Sequence, residues 1–356
     1  MTARLRYTSN QMKKKVLWAV FSLALSILTI HALFYNSGLS LTEFLLHISE
    51  ASARWLVLAG LCMLLFLFFE GRSLVLILRA LGYPSKKRKG FVYAAADFYF
   101  SSITPSASGG QPASAFFMRK DGISGTATTV TLLLNLTMYT LAIITLGFVS
   151  IIFFPDIFFS YELPCKILIL FGTASMTALT VIFILLLKKQ SVIIKIGNLI
   201  ILAIKKIGFK SAAQKASERL QSTIENYNQC VATAAGKKGL FAKTFLLNLA
   251  QRAAQILVTV FCHLAMGSSI RDIARVFAIQ TYVVVGSNFI PVPGAVGVSE
   301  FLMYYGHAAL LGQDEAYTLA LLSRGISFYT CSFISIVTVI LGYIALKVKK
   351  QEGANL

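Results

Sequence analysis

Two stretches decide the fold: Thr104-Pro105-Ser106-Ala107-Ser108-Gly109-Gly110-Gln111-Pro112 and Asn288-Phe289-Ile290-Pro291-Val292-Pro293-Gly294-Ala295-Val296-Gly297. Each interrupts otherwise apolar sequence. Proline removes a backbone donor and glycine loosens the chain, so no helix runs through either stretch. At membrane depth, the backbone groups freed by such a break must be satisfied by protein or by a water-filled cavity. Two breaks in corresponding positions of two halves point to a transport site.

The chain around the breaks is that of a membrane protein. Of 356 residues, 56% are hydrophobic and only 13% charged, with a mean hydropathy of +0.73. That composition excludes a soluble globular domain. The five cysteines (Cys62, Cys165, Cys230, Cys262, Cys331) are scattered without a CxxC, so neither a disulfide frame nor a metal site is expected. His31 and His263 read as packed side chains. No cofactor-binding motif is visible.

Full-length spans are predicted at 16–35, 55–79, 128–154, 163–187, 241–265 and 316–346, each long enough to cross a bilayer. The run after Lys13-Lys14-Lys15 is longer than a signal-peptide core and lacks a cleavage site, so it reads as a first span. Residues 91–119 and 273–311 read as re-entrant hairpins of two half-helices each. The expected fold class is therefore all-α, a polytopic membrane protein in one membrane domain. An N-terminal half (16–187) and a C-terminal half (241–346) are joined by a basic linker, 188–240. Within the linker, 192–209 reads as an amphipathic helix on the inner leaflet, and 211–235 as a cytoplasmic helix.

With both termini placed in the cytoplasm, nearly every Lys and Arg falls on that side. The exceptions are Arg54, Lys166, Arg271 and Arg275 outside, and Arg72, Arg252 and Arg324 within spans. This bias sets the expected orientation in the cell membrane. The net charge of +19 then faces anionic lipid. No basic patch is interleaved with exposed aromatics, so nucleic acid is not an expected partner.

Shifted by 185 residues, Gly109 falls on Gly294, Ser114 on Ser299, Phe116 on Phe301 and Met118 on Met303, and span starts fall together as well. The first unit begins outside and the second inside, so the repeat is inverted and suits alternating access around a midplane site. After each break a new helix starts, with Pro112 in the first turn and Gly294 just before the other start. Their amide ends would form an anion seat.

Six Asp, Glu or Arg residues fall well inside predicted membrane segments, away from their ends: Glu70, Asp97 and Glu300 against Arg72, Arg252 and Arg324. Intramembrane charges pair, or they line a polar pathway. With Gln251, Gln111 and Asn288 they make the expected substrate-binding set. Pro105, Gly109, Gly110, Pro112, Pro291, Pro293, Gly294 and Gly297 shape the re-entrant loops. Cationic and anionic groups together suit a polar-headed lipid better than a simple ion.

The G-G-x-P of Gly109, Gly110 and Pro112, with the P-x-P-G-x-x-G-x-x-E of Pro291, Pro293, Gly294, Gly297 and Glu300, resembles the transmembrane region of bacterial lysyl-phosphatidylglycerol synthases. That family is also called the multiple peptide resistance factor. The resemblance runs from about residue 10 to 350, with Ala295 standing where the family often has a second glycine. It implies a membrane region regarded as a flippase, joined in full-length members to a soluble domain that transfers lysine from tRNA to phosphatidylglycerol. No such domain is expected before Leu356, and no catalytic residues are visible. The leading expectation is a translocase of an anionic or aminoacylated phospholipid made by a separate synthase, linked to resistance to cationic antimicrobial peptides. The alternatives are phosphatidylglycerol lysyltransferase and a secondary transporter of a small solute. Oligomeric state is not legible.

Overall fold

The structure is a computed structural model that describes residues 49–189 and 210–352, with Thr42 and a few positions between 194 and 206 besides. The expected span 16–35 lies outside the described residues, as does most of the expected interfacial helix 192–209.

Among the described residues the chain is helical and has no strand. The first series of elements is α1 (Ala53–Ala80), α2 (Lys87–Ser102), a 3₁₀ turn (Pro105–Ala107), α3 (Gly110–Lys120), α4 (Gly125–Phe153), α5 (Pro155–Ser160) and α6 (Leu163–Lys188). Helix α7 (Lys210–Ala235) follows, where a helix is expected at 211–235. The second series is α8 (Leu240–Ala265), α9 (Ile273–Ser287), a 3₁₀ turn (Pro293–Ala295), α10 (Val298–Leu311), α11 (Gln313–Arg324), a π-helical turn (Gly325–Thr330) and α12 (Cys331–Glu352).

Five helical stretches among the described residues are long and apolar enough to cross a membrane: α1, α4, α6, α8 and the run Gln313–Leu346. The chain is an all-α polytopic membrane protein. The run expected at 316–346 begins three residues earlier and carries the π turn in its middle, which apolar periodicity does not reveal. Helices α2, α3, α9 and α10 have 16, 11, 15 and 14 residues. At about 1.5 Å per residue none reaches across a core of about 30 Å. Each pair α2/α3 and α9/α10 therefore forms a hairpin, as the breaks predicted.

The two series repeat in order. Paired elements start at 53 and 240, 87 and 273, 110 and 298, and 125 and 313. These are offsets of 186 to 188, slightly more than the 185 read from residue identities.

Small residues bring the helices close. A Cβ on Gly71 would sit 2.6 Å from the carbonyl carbon of Gly90, so α1 and α2 cross with backbones in contact, as membrane helices do where side chains are small. Helices α1 and α8 share a core of Ala59, Cys62, Met63 and Phe66 with Val258 and Cys262. Deeper in the same bundle, Ser73 donates to Asn135 (2.5 Å), and Asn248 donates to both (3.1 Å each), joining α1, α4 and α8. In lipid such polar clusters hold helices together, because a lone polar group there is costly. The two 3₁₀ turns at the hairpin tips touch each other. They meet at the edge of a cavity framed by both series.

Candidate functional site

The hairpin tips are built alike. Each holds residues in left-handed backbone conformation: Ser106 (φ 51°) and Ala107 (φ 53°) in the first, Gly294 (φ 60°) and Ala295 (φ 50°) in the second. Both turns sit within a loop that a continuous helix could not supply, and both line a cavity of about 460 Å³. Its wall takes residues from α1, α2, α4, α6, α8, α9 and the π turn, so it lies where the two repeats face each other.

Of the expected set, Glu70, Asp97, Gln111, Arg252, Asn288 and Arg324 line this cavity, with Gly294 from the loops. Glu300 stands behind Arg324. Gln251 is buried beside the cavity, where its amide donates to Glu70 (2.9 Å). Arg72 does not line the cavity and forms no ion pair among the described residues.

The expectation that the helix starts are open anion seats needs correcting. Helix α10 begins at Val298, not directly after Gly294, and its cap amide at Gly297 donates to the Glu300 carboxylate (2.8 Å). Arg324 then holds Glu300 through Nε–H···Oε1 (2.7 Å) and donates from Nη2 to the Gly294 carbonyl (2.9 Å). Its guanidinium also stacks on Phe328, 4.4 Å from the ring centre. The positive end of α10 is thus satisfied by a carboxylate of its own chain. At α3, the Gly109 amide donates to Thr104 Oγ1 (2.9 Å), and Pro112 stands in the first turn as expected. Gly110 packs against Asp97 and Ser101, leaving no space for a Cβ. Gln111 donates to both Asp97 oxygens (3.2 Å each).

The remaining charges are arranged differently. The Glu70 and Asp97 carboxyl groups lie side by side, and the field of Arg252 reaches both. Among the described residues, no carboxylate comes within 4.0 Å of the Arg252 guanidinium. Instead Arg252 donates to Gln255 (2.6 Å), and its Nε–H has no partner. The guanidinium lies 4.0 Å from the Tyr139 ring centre and 5.0 Å from that of Phe66. Only 7% of the residue is exposed. A buried cation that lies over ring faces at the wall of a polar cavity, with no carboxylate among the described residues in reach, is suited to receive an anionic oxygen.

Tyr139 is the residue the sequence reading missed. It stacks on Arg252 and donates from its hydroxyl to Asn288 Oδ1 (2.8 Å), tying α4 to the second hairpin. Nothing in a run of apolar residues sets one aromatic apart, and only the crossing of α4 with α8 brings it over the arginine. Asn288 in turn donates to the Met176 sulfur (3.2 Å).

Comparison with curated proteins and with solved structures gave no match. The family described as the lysylphosphatidylglycerol synthase TM region matches residues 19–335, nearly the whole chain. Paired hairpins, a shared cavity and the match together lead to one conclusion: the chain belongs to the family of the lysylphosphatidylglycerol synthase transmembrane region.

Proposed function

We propose that the protein is a lipid translocase, which carries the head group of a phospholipid such as lysyl-phosphatidylglycerol through this cavity between the leaflets of the bacterial cytoplasmic membrane. The observation that carries the reading is Arg252, a buried cation without an ion-pair partner among the described residues, which faces a cavity framed by both repeats. A lipid phosphate supplies the missing anion. The adjoining Glu70 and Asp97 carboxyls accept from ammonium or hydroxyl groups farther along the head group. Mixed polarity of this kind matches an aminoacylated or glycerol-bearing head group, whose two ends differ in charge. Exposure of such a lipid at the outer face would reduce attraction of cationic antimicrobial peptides. A separate synthase supplies the lipid.

The test is transport by the purified full chain in proteoliposomes, with lysyl-phosphatidylglycerol placed in one leaflet. Its appearance in the other leaflet should be faster than in protein-free vesicles and should slow in Arg252→Ala. Equal rates with and without protein would sink the reading. Formation of lysyl-phosphatidylglycerol from charged tRNA and phosphatidylglycerol would instead give the chain the transfer step.

A further inference from the structure

A second, smaller cavity adjoins the first. It lies between α4, α6 and α9, holds about 110 Å³, and is walled by apolar side chains such as Ile144, Phe148, Leu170 and Val285, with Thr173 at one side. Phe148 and Leu170 are both 58% exposed on helices that cross the membrane, so this slot faces hydrocarbon. Glycines shape its surroundings. Gly147 lines it, and a Cβ at Gly172 would strike the Val285 carbonyl, so α6 and α9 meet there without side chains between them.

Met176 lines both cavities. It is the partition between them, and its sulfur accepts from Asn288, the residue that also accepts from Tyr139 beside Arg252. A thioether side chain is flexible enough to yield at such a boundary. We infer that this slot seats an acyl chain of the same lipid whose head group occupies the polar cavity, so that head and tail part company at Met176. The inference rests on the translocase reading. Its occupant follows from continuity: a polar cavity and a lipid-facing apolar slot share one wall, and the molecule with both chemistries is a phospholipid. The slot has no advantage over bulk lipid in hydrophobicity, since tails are already in hydrocarbon. The tether does the selecting, because a head group fixed near Arg252 keeps its own tail at high local concentration beside Met176.

The experiment uses the full chain in vesicles containing phosphatidylglycerol with a photoactivatable diazirine in one acyl chain. After illumination, labelled positions are mapped by peptide mass spectrometry. Labelling at residues 143–151 and 169–176 should exceed that at other lipid-facing positions by about tenfold or more, a modest gain for a tethered contact. Thr173→Trp, which fills the slot, should remove that excess and slow translocation. Labelling spread evenly around the lipid-facing perimeter of the unsubstituted chain overturns the slot, whether or not the tryptophan variant folds. If the slot is labelled but Arg252→Ala translocates at the unsubstituted rate, the tail site stands and the head-group reading falls.

Discussion

Arg324 and Glu300 show how one residue can anchor a whole loop. The Glu300 side chain is only 3% exposed, and it accepts from both the Gly297 amide and Arg324. Removing the arginine alone leaves a buried carboxylate uncompensated, which costs about 3–5 kcal/mol. Arg324→Ala should therefore lower thermal stability in detergent sharply, and Glu300→Gln added to it should recover part of the loss. Additive losses in the double variant would mean the two do not act as a pair. Arg252 calls for a different test, because its partners are two rings and the Gln255 amide and not a carboxylate. Arg252→Lys keeps the charge but loses the flat stacked fork. It should fold, yet slow lipid translocation by about thirtyfold, given that a desolvated cation–π contact is worth about 2 kcal/mol. A lysine variant at full rate would show that charge alone suffices there.

At the scale of elements, the hairpin tips hold residues in a conformation that favours glycine. Ala295 sits at the tip of the second hairpin, and its φ of 50° lies in the left-handed region. An L-residue there costs roughly 1–2 kcal/mol. Ala295→Gly should accordingly raise the melting temperature, with stabilisation of about 1 kcal/mol, and unchanged stability would mean the tip relaxes. The hairpins themselves were legible from Pro105, Gly109, Pro112, Pro291 and Pro293, since few other residues break helices so reliably. The expected bounds 91–119 and 273–311 lie within a few residues of α2–α3 and α9–α10. The π turn at Gly325–Thr330 was not legible, because an added residue per turn leaves composition untouched. Nor was the direction of Glu300. A carboxylate near a helix start can cap it or await a ligand, and only the Gly297 bond distinguishes the two.

Over the whole molecule, the distribution of Lys and Arg predicts which ends face the cytoplasm, and the repeat predicts that the two hairpins enter from opposite faces. Cysteines placed at Ser108 and Ala295 should react slowly with membrane-impermeant reagents, and from opposite sides. Fast reaction of both from one side would rule out an inverted arrangement. The charged groups of the cavity could be named from the sequence because charge in an apolar span is rare. Their sorting into a latched pair, a carboxyl couple and a lone arginine required the crossing of α1, α2, α8 and α11. One further consequence comes from the contact between the two 3₁₀ turns. Were the two touching tips the barrier between the two faces of the membrane, the electric field would be concentrated across that thin septum. A charged head group passing it would cross most of the membrane voltage within a few ångströms, a difference of about 2.3 kcal/mol per elementary charge for each 100 mV. Translocation of a lipid with net charge should then change with an imposed potential, in a direction that reverses with the sign of that charge, while a zwitterionic lipid should cross at a voltage-independent rate.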